Sequence, residues 1–166
     1  KHDEAHQHLA TQFEKHTVKR QYQALVWGIP EEDQGVIDAP LIRHPVRRKE
    51  MTIQRIDPDA PETSRSRLGK RAVTHWRTIQ RFDVASQLVC RLETGRTHQI
   101  RVHLTSIRHA LIGDQTYGKS PLKRLAGLDP DLKKVISNFK RQALHAEMLS
   151  FQHPASNQWV KFQTPI

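Results

Sequence analysis

A single cysteine, Cys90, stands in the 166 residues, which excludes an internal disulfide. A reducing compartment, cytoplasmic or an organelle matrix, is the simpler setting. Cys90 lies in an apolar alternation, as a structural thiol does. No apolar run approaches the ~18 residues that a membrane-spanning helix needs. No signal-peptide pattern opens the sequence. Neither an internal repeat nor a second domain is visible, so residues 1–166 are expected to form part of one folded unit. Acidic residues are also scarce. The 17 Asp and Glu against 27 Lys and Arg leave a formal charge of +10, and the pI is near 10.2. Such a surplus favours a polyanionic partner through phosphate contacts and counterion release. Ribosomal and histone-like proteins share this balance, so charge alone does not choose between RNA and DNA.

With 36% hydrophobic residues and a mean hydropathy of -0.70, the chain is polar but can still form a core. Ala5, His8, Leu9, Gln12 and Phe13 share one face of an opening helix. Residues 20–27 alternate as a strand, with Tyr22, Ala24 and Val26 on one face and Leu25 and Trp27 on the other. A turn at Pro30–Gly35 precedes short strands near 36–42 and 50–56. The segment Asp57 to Lys70 carries two prolines, a glycine and basic residues, and reads as a mobile loop. Strands are expected at 71–82 and 86–93, with a turn near Asp83. Leu132, Val135, Ile136 and Phe139 mark an amphipathic helix that starts at Asp129-Pro130. Residues 144–151 and 158–163 are expected to pair as antiparallel strands. Many strands and few helices give an α+β fold, a mainly antiparallel mixed sheet flanked by a few helices.

The most informative stretch is Thr94-Gly95-Arg96-Thr97-His98-Gln99-Ile100-Arg101-Val102-His103-Leu104. The strand alternation of Leu88, Cys90 and Leu92 runs into it, and Ile100, His103, Leu104 and Ile107 leave it at helical spacing. Gly95 supplies a turn and Thr97 is expected to cap the helix. A strand-to-helix junction would thus hold a fixed cationic group. Together with Gly113-Asp114 and Tyr117-Gly118, the stretch resembles the signature of the RluA-type pseudouridine synthases. The run from Lys19 to Gly28 is similar to that family's K-x-Y-x-A-x-V-x-G strand. Gly35 to Leu41 resembles the segment that follows it, and Arg141 to Ala146 with His153-Pro154 resembles the closing motif. Leu122 to Phe139 is most similar to the branch acting on large-subunit ribosomal RNA.

The resemblance implies an isomerase that converts uridine to pseudouridine in structured RNA, with no metal, nucleotide or redox cofactor. In that chemistry the base is extruded and an aspartate acts as nucleophile. An arginine holds the carboxylate ionised, and a tyrosine stacks on the base and takes part in proton removal from C5. The arginine role falls on Arg101 and the tyrosine role on Tyr22. Leu144 is implied as an apolar residue near the base, and Arg96, Thr97, His98 and Gln99 as residues that shape the junction and contact RNA. The bland alternatives are a solvated helix arginine for Arg101 and a core tyrosine for Tyr22. His98 and His103 lack a cysteine or acidic ligand at suitable spacing, so packing or hydrogen bonding is expected of them rather than a metal. Asp114 is expected in a turn or ion pair. Arg43 to Lys49 is either a solvated loop or an RNA backbone contact, and Trp76 and Trp159 are expected to pack rather than stack on bases.

The family's H-R-L-D-x-x-T-S-G element, which carries the nucleophile, does not occur in these residues. The sequence is therefore expected to be the C-terminal part of a catalytic domain, inactive by itself. Its expected partners are RNA and an N-terminal fragment or domain of the same protein, and no membrane. A catalytically inactive RNA-binding relative is the alternative.

Overall fold

The computed structural model describes residues 3–54, 69–118 and 125–166. Helix α1 (Asp3–Glu14) leads into strand β1 (Lys19–Trp27), followed by β2 (Gln34–Asp38), β3 (Leu41–Arg43) and β4 (Met51–Ile53). Next come β5 (Val73–Arg81), β6 (Ala85–Leu92), α2 (Gln99–Ser106), α3 (Pro130–Asn138), β7 (Leu144–Gln152) and β8 (Trp159–Gln163). Six strands form one sheet in the order β2-β5-β6-β1-β7-β8. Every pairing described in it is antiparallel. This is the α+β architecture that the sequence pattern implies.

β1 sits inside the sheet, and clusters packed on its two faces bury the residues toward its end. Ala24 and Val26 join Leu88, Cys90, Trp76, Ile100, Leu104 and Leu111 in the main core beneath α2. Trp27 points the other way, into a second cluster with Ala85, Ile112 and Leu125, backed by Ile136 and Phe139 of the α3 region. Leu132 and Val135 of α3 stay exposed, so only part of its apolar stripe is used. Asp129 caps α3 by accepting from the Asp131 and Leu132 amides at 2.9 and 3.2 Å, and Pro130 fills the first turn, where no amide is needed. The Cys90 thiol is buried in the main core, and burial pushes its pKa up to about 12, as a packing thiol requires.

Two sequence expectations change in detail. The strand expected over 36–42 is split at Ala39-Pro40: β2 joins the large sheet, whereas β3 leaves it and pairs with β4. Proline has no amide to continue a ladder, so the chain turns there. Residues 55 and 56 of the next expected strand, and most of the Asp57–Lys70 loop, lie outside the described residues. In α1, Gln12 does more than face the sheet. Its amide donates to the Gln152 carbonyl and its oxygen accepts from the Gln152 amide, both at 2.8 Å, which ties α1 to β7 as a strand partner would. Trp76 packs in the core as expected, while Trp159 lies half exposed on β8 with the Lys19 ammonium 5.1 Å above its ring.

Candidate active site

Tyr22 lies half-buried on β1, between Cys90 of β6 and Ala146 of β7. Period-two alternation puts it on the same face as Ala24, whose partner on β7 is Leu144. Tyr22 and Leu144 both pack against the core beneath α2. The sheet and α2 therefore bring together the tyrosine and the apolar residue expected of the site. Two residues before Tyr22, the Arg20 guanidinium lies 5.6 Å from the Phe13 ring and against Gly95. A side chain at 95 would meet the Arg20 guanidinium, which would have to swing aside. Burial lowers the Arg20 pKa, with the neighbouring Tyr22 oxygen partly offsetting it.

The junction between β6 and α2 is held by Gln99, not by Thr97. His98 is the N-cap residue, in a left-handed conformation (φ 57°) and with no side-chain cap, whereas Thr97 is exposed. The Gln99 oxygen accepts from the Arg96 amide at 2.9 Å and from the Thr94 hydroxyl at 2.8 Å. Its amide nitrogen donates to the Val73 carbonyl at 2.9 Å and the Thr74 hydroxyl at 3.1 Å. Gln99 is only 2% exposed and both ends of its amide are engaged. It shapes the junction and has no surface left for RNA, which corrects the contact expected of it. The network continues inward. His103 Nε2 lies 3.0 Å from the Ala39 carbonyl, which can only accept, so that nitrogen carries the proton. Nδ1 then accepts from the Thr74 hydroxyl at 2.9 Å. Burial lowers the His103 pKa, consistent with this neutral imidazole.

Arg101 leaves α2 toward the Gly113–Gly118 turn. Its Nε and Nη2 donate to the two oxygens of Asp114, at 2.8 and 2.7 Å. The Asp114 side chain is 1% exposed and that of Arg101 13%. Asp114 Oδ1 also accepts from the Thr116 and Tyr117 amides at 2.9 and 3.1 Å, so Asp114 has both the turn role and the ion-pair role. Gly113 admits this turn with φ 75°, and a Cβ there would strike the Arg141 carbonyl. Burial alone would raise the Asp114 pKa, but Arg101 and the two amides hold it below the usual carboxylate range. The hydrogen bonds to Asp114 raise the Arg101 pKa. The pair is thus charged on both sides.

Tyr117 completes the support. Its ring lies 4.8 Å from the Arg101 guanidinium carbon, a cation–π contact. Its hydroxyl accepts from the Met51 amide at 2.8 Å and lies 2.9 Å from His98 Nδ1. Burial, then the Arg101 charge, lowers the His98 pKa, which favours a neutral imidazole in this hydrogen bond. Sequence reasoning named Tyr117 only as part of a motif; its spacing after Asp114 is the signal for its role. Among the described residues no hydrogen bond joins Arg101 to Tyr22, and Arg101 Nη1 has no partner. Arg96 donates from Nε to the Arg71 carbonyl at 3.1 Å, and the rest of its guanidinium has no acceptor among the described residues.

Residues 1–106 match the family described as RNA pseudouridylate synthase. The chain is 48% identical over 164 residues to ribosomal large subunit pseudouridine synthase D of Zymomonas mobilis, covering 99% of this chain and 46% of that protein. It is 44% identical to the protein of that name from Nitrosomonas europaea, covering 98% and 42%. The chain thus spans less than half the length of these relatives. Human RNA pseudouridylate synthase domain containing 4 superposes with a TM-score of 0.73 at 28% identity, covering 100% of this chain and 64% of that one. Human RNA pseudouridylate synthase domain containing 1 gives 0.72 at 24% identity over 96% and 59%, a likeness of fold. With the family match over residues 1–106 and these identities over nearly the whole chain, the chain belongs to the RNA pseudouridylate synthase family.

Proposed function

We propose that this chain supplies the tyrosine- and arginine-bearing part of an enzyme that isomerises uridine to pseudouridine in large-subunit ribosomal RNA. The observation that carries this reading is the side-on Arg101–Asp114 pair. Asp114 occupies the Nε and Nη2 edge, which fixes the guanidinium and leaves Nη1 for a second carboxylate. That carboxylate is the nucleophile, supplied from outside these 166 residues. In the reaction the bond between N1 and C1′ breaks, the uracil turns, C5 bonds to C1′ and loses its proton, and N1 gains one. The product is an isomer, so no oxidant or co-substrate is consumed. Tyr22 stacks on the extruded base with Leu144 beside it, and Arg101 holds the nucleophile ionised.

The +10 charge supports RNA as the partner, since phosphate neutralisation releases counterions. The names of the relatives support ribosomal RNA of the large subunit. By itself the chain is expected to bind RNA without modifying it, and the cytoplasm is the proposed setting. Mapping pseudouridines in RNA from cells that lack the full gene tests the reading. One or a few sites should disappear from the large-subunit RNA. An unchanged map would contradict it.

A further inference from the structure

Beside the Arg101 cluster, a cavity of about 480 Å³ opens between the β3–β4 hairpin and the turn that starts α2. Arg43, Lys70 and Arg96 line it together with Thr97, the exposed Gly95 and Met51, and among the described residues no acidic side chain does. The bases of these cations are fixed. Lys70 and Leu41 exchange backbone hydrogen bonds at 2.9 Å each, which clamps Lys70 to β3. Arg43 Nη1 donates to the Arg48 carbonyl at 2.7 Å, and Arg96 Nε to that of Arg71. Among the described residues none of the three forms an ion pair, whereas neighbouring Arg71 and Arg47 are paired with carboxylates. Two arginines held by backbone carbonyls and a lysine held at its backbone, none ion-paired among the described residues, together with a hydroxyl, suit a tetrahedral oxyanion.

The cavity is also tied to the candidate active site. Its wall residue Met51 donates to the Tyr117 hydroxyl, and the Tyr117 ring lies on Arg101. An anion held there therefore has a set position relative to the guanidinium. We propose that this cavity binds a backbone phosphate of the RNA close to the target nucleotide, and so fixes the strand while the base is extruded. The proposal rests on the RNA-modifying reading and adds to it a phosphate site built from Arg43, Lys70 and Arg96.

The test uses the full natural protein and a uridine-containing stem–loop RNA, with affinity measured across a salt series. A triple variant, R43Q/K70Q/R96Q, is compared with K133Q/K134Q/K140Q, which removes equal charge around α3. The cavity variant should bind about tenfold more weakly and flatten the slope of log affinity against log salt by about 1, with the α3 variant near wild type. A single neutral methylphosphonate at one linkage near the target uridine should weaken the wild type and have little further effect on the cavity variant. If the wild type binds with a steep slope and both variants match it, or both lose affinity equally, the phosphate site is wrong while the RNA reading stands. If the wild type does not bind RNA, both fail.

Discussion

Arg101 and Asp114 are joined side-on through two hydrogen bonds of 2.8 and 2.7 Å, across a turn that Asp114 itself caps. The arrangement makes Asp114 the residue that aims Arg101. Asp114→Asn should keep the turn partly intact but lose the charge that balances the guanidinium. Breaking such a pair at a buried site costs about 3–5 kcal/mol, so thermal stability should fall. Arg101→Lys should fail as well, because an ammonium cannot span both Asp114 oxygens and still reach a second acceptor. Calorimetry and turnover of the full protein would check this. A lysine variant with near-normal turnover would remove the need for the planar fork.

Tyr22→Phe keeps the ring between Cys90 and Ala146 and removes only the hydroxyl. RNA affinity should stay within a few-fold of wild type while product formation falls. Equal turnover in the two proteins would assign C5 proton removal elsewhere and leave Tyr22 a stacking role alone.

Gln99→Leu should be among the most damaging substitutions outside the chemistry. It strips partners from Thr94, Arg96, Val73 and Thr74 in a buried place. Thr94, Val73 and Thr74 keep one other partner each, whereas the Arg96 amide loses its acceptor, and an unpaired buried polar group costs about 1–3 kcal/mol. The melting temperature should drop well before any RNA contact is in question. A variant as stable as wild type would show that the junction is not held by this amide.

Acidification offers a separate test through His103. Its folded pKa lies below the ordinary value near 6.5, because burial disfavours the charged ring. The unfolded chain gains a proton as pH falls through about 6.5, and the folded chain does not until lower pH. The stabilisation is therefore whole above that value and is lost as pH drops toward the folded pKa. His98 is shifted the same way and adds to the effect. Melting temperatures taken from about pH 7 to about pH 5 should fall, and fall less in His103→Gln. Identical slopes would refute the neutral, doubly bonded His103.

Features that depend on local periodicity were legible in the sequence. The alternation of Tyr22, Ala24 and Val26 and the β7–β8 pairing are examples, because side-chain facing follows from the strand repeat itself. The exchange of strands at Pro40 was not legible, since it depends on which ladder receives β3. Thr97 looks like a cap by residue type, yet His98 takes the left-handed position and the Gln99 side chain folds back to receive the Arg96 amide. The family resemblance implies a site role for Arg101, but its bond to Asp114 requires the turn at Gly113 to bring the two together. Arg20 was hidden for the same reason: only the fold lays it over Gly95.

The most direct measurement is tritium release from RNA labelled at C5 of uridine, using the full natural protein and its Arg101→Ala variant. C5 must lose its proton when it bonds to C1′, so release reports the isomerisation itself. The natural protein should release the label from one or a few uridines, and Arg101→Ala should release almost none while still binding RNA. A natural protein that binds RNA and releases no tritium, or an Arg101→Ala variant that matches it, would contradict the account.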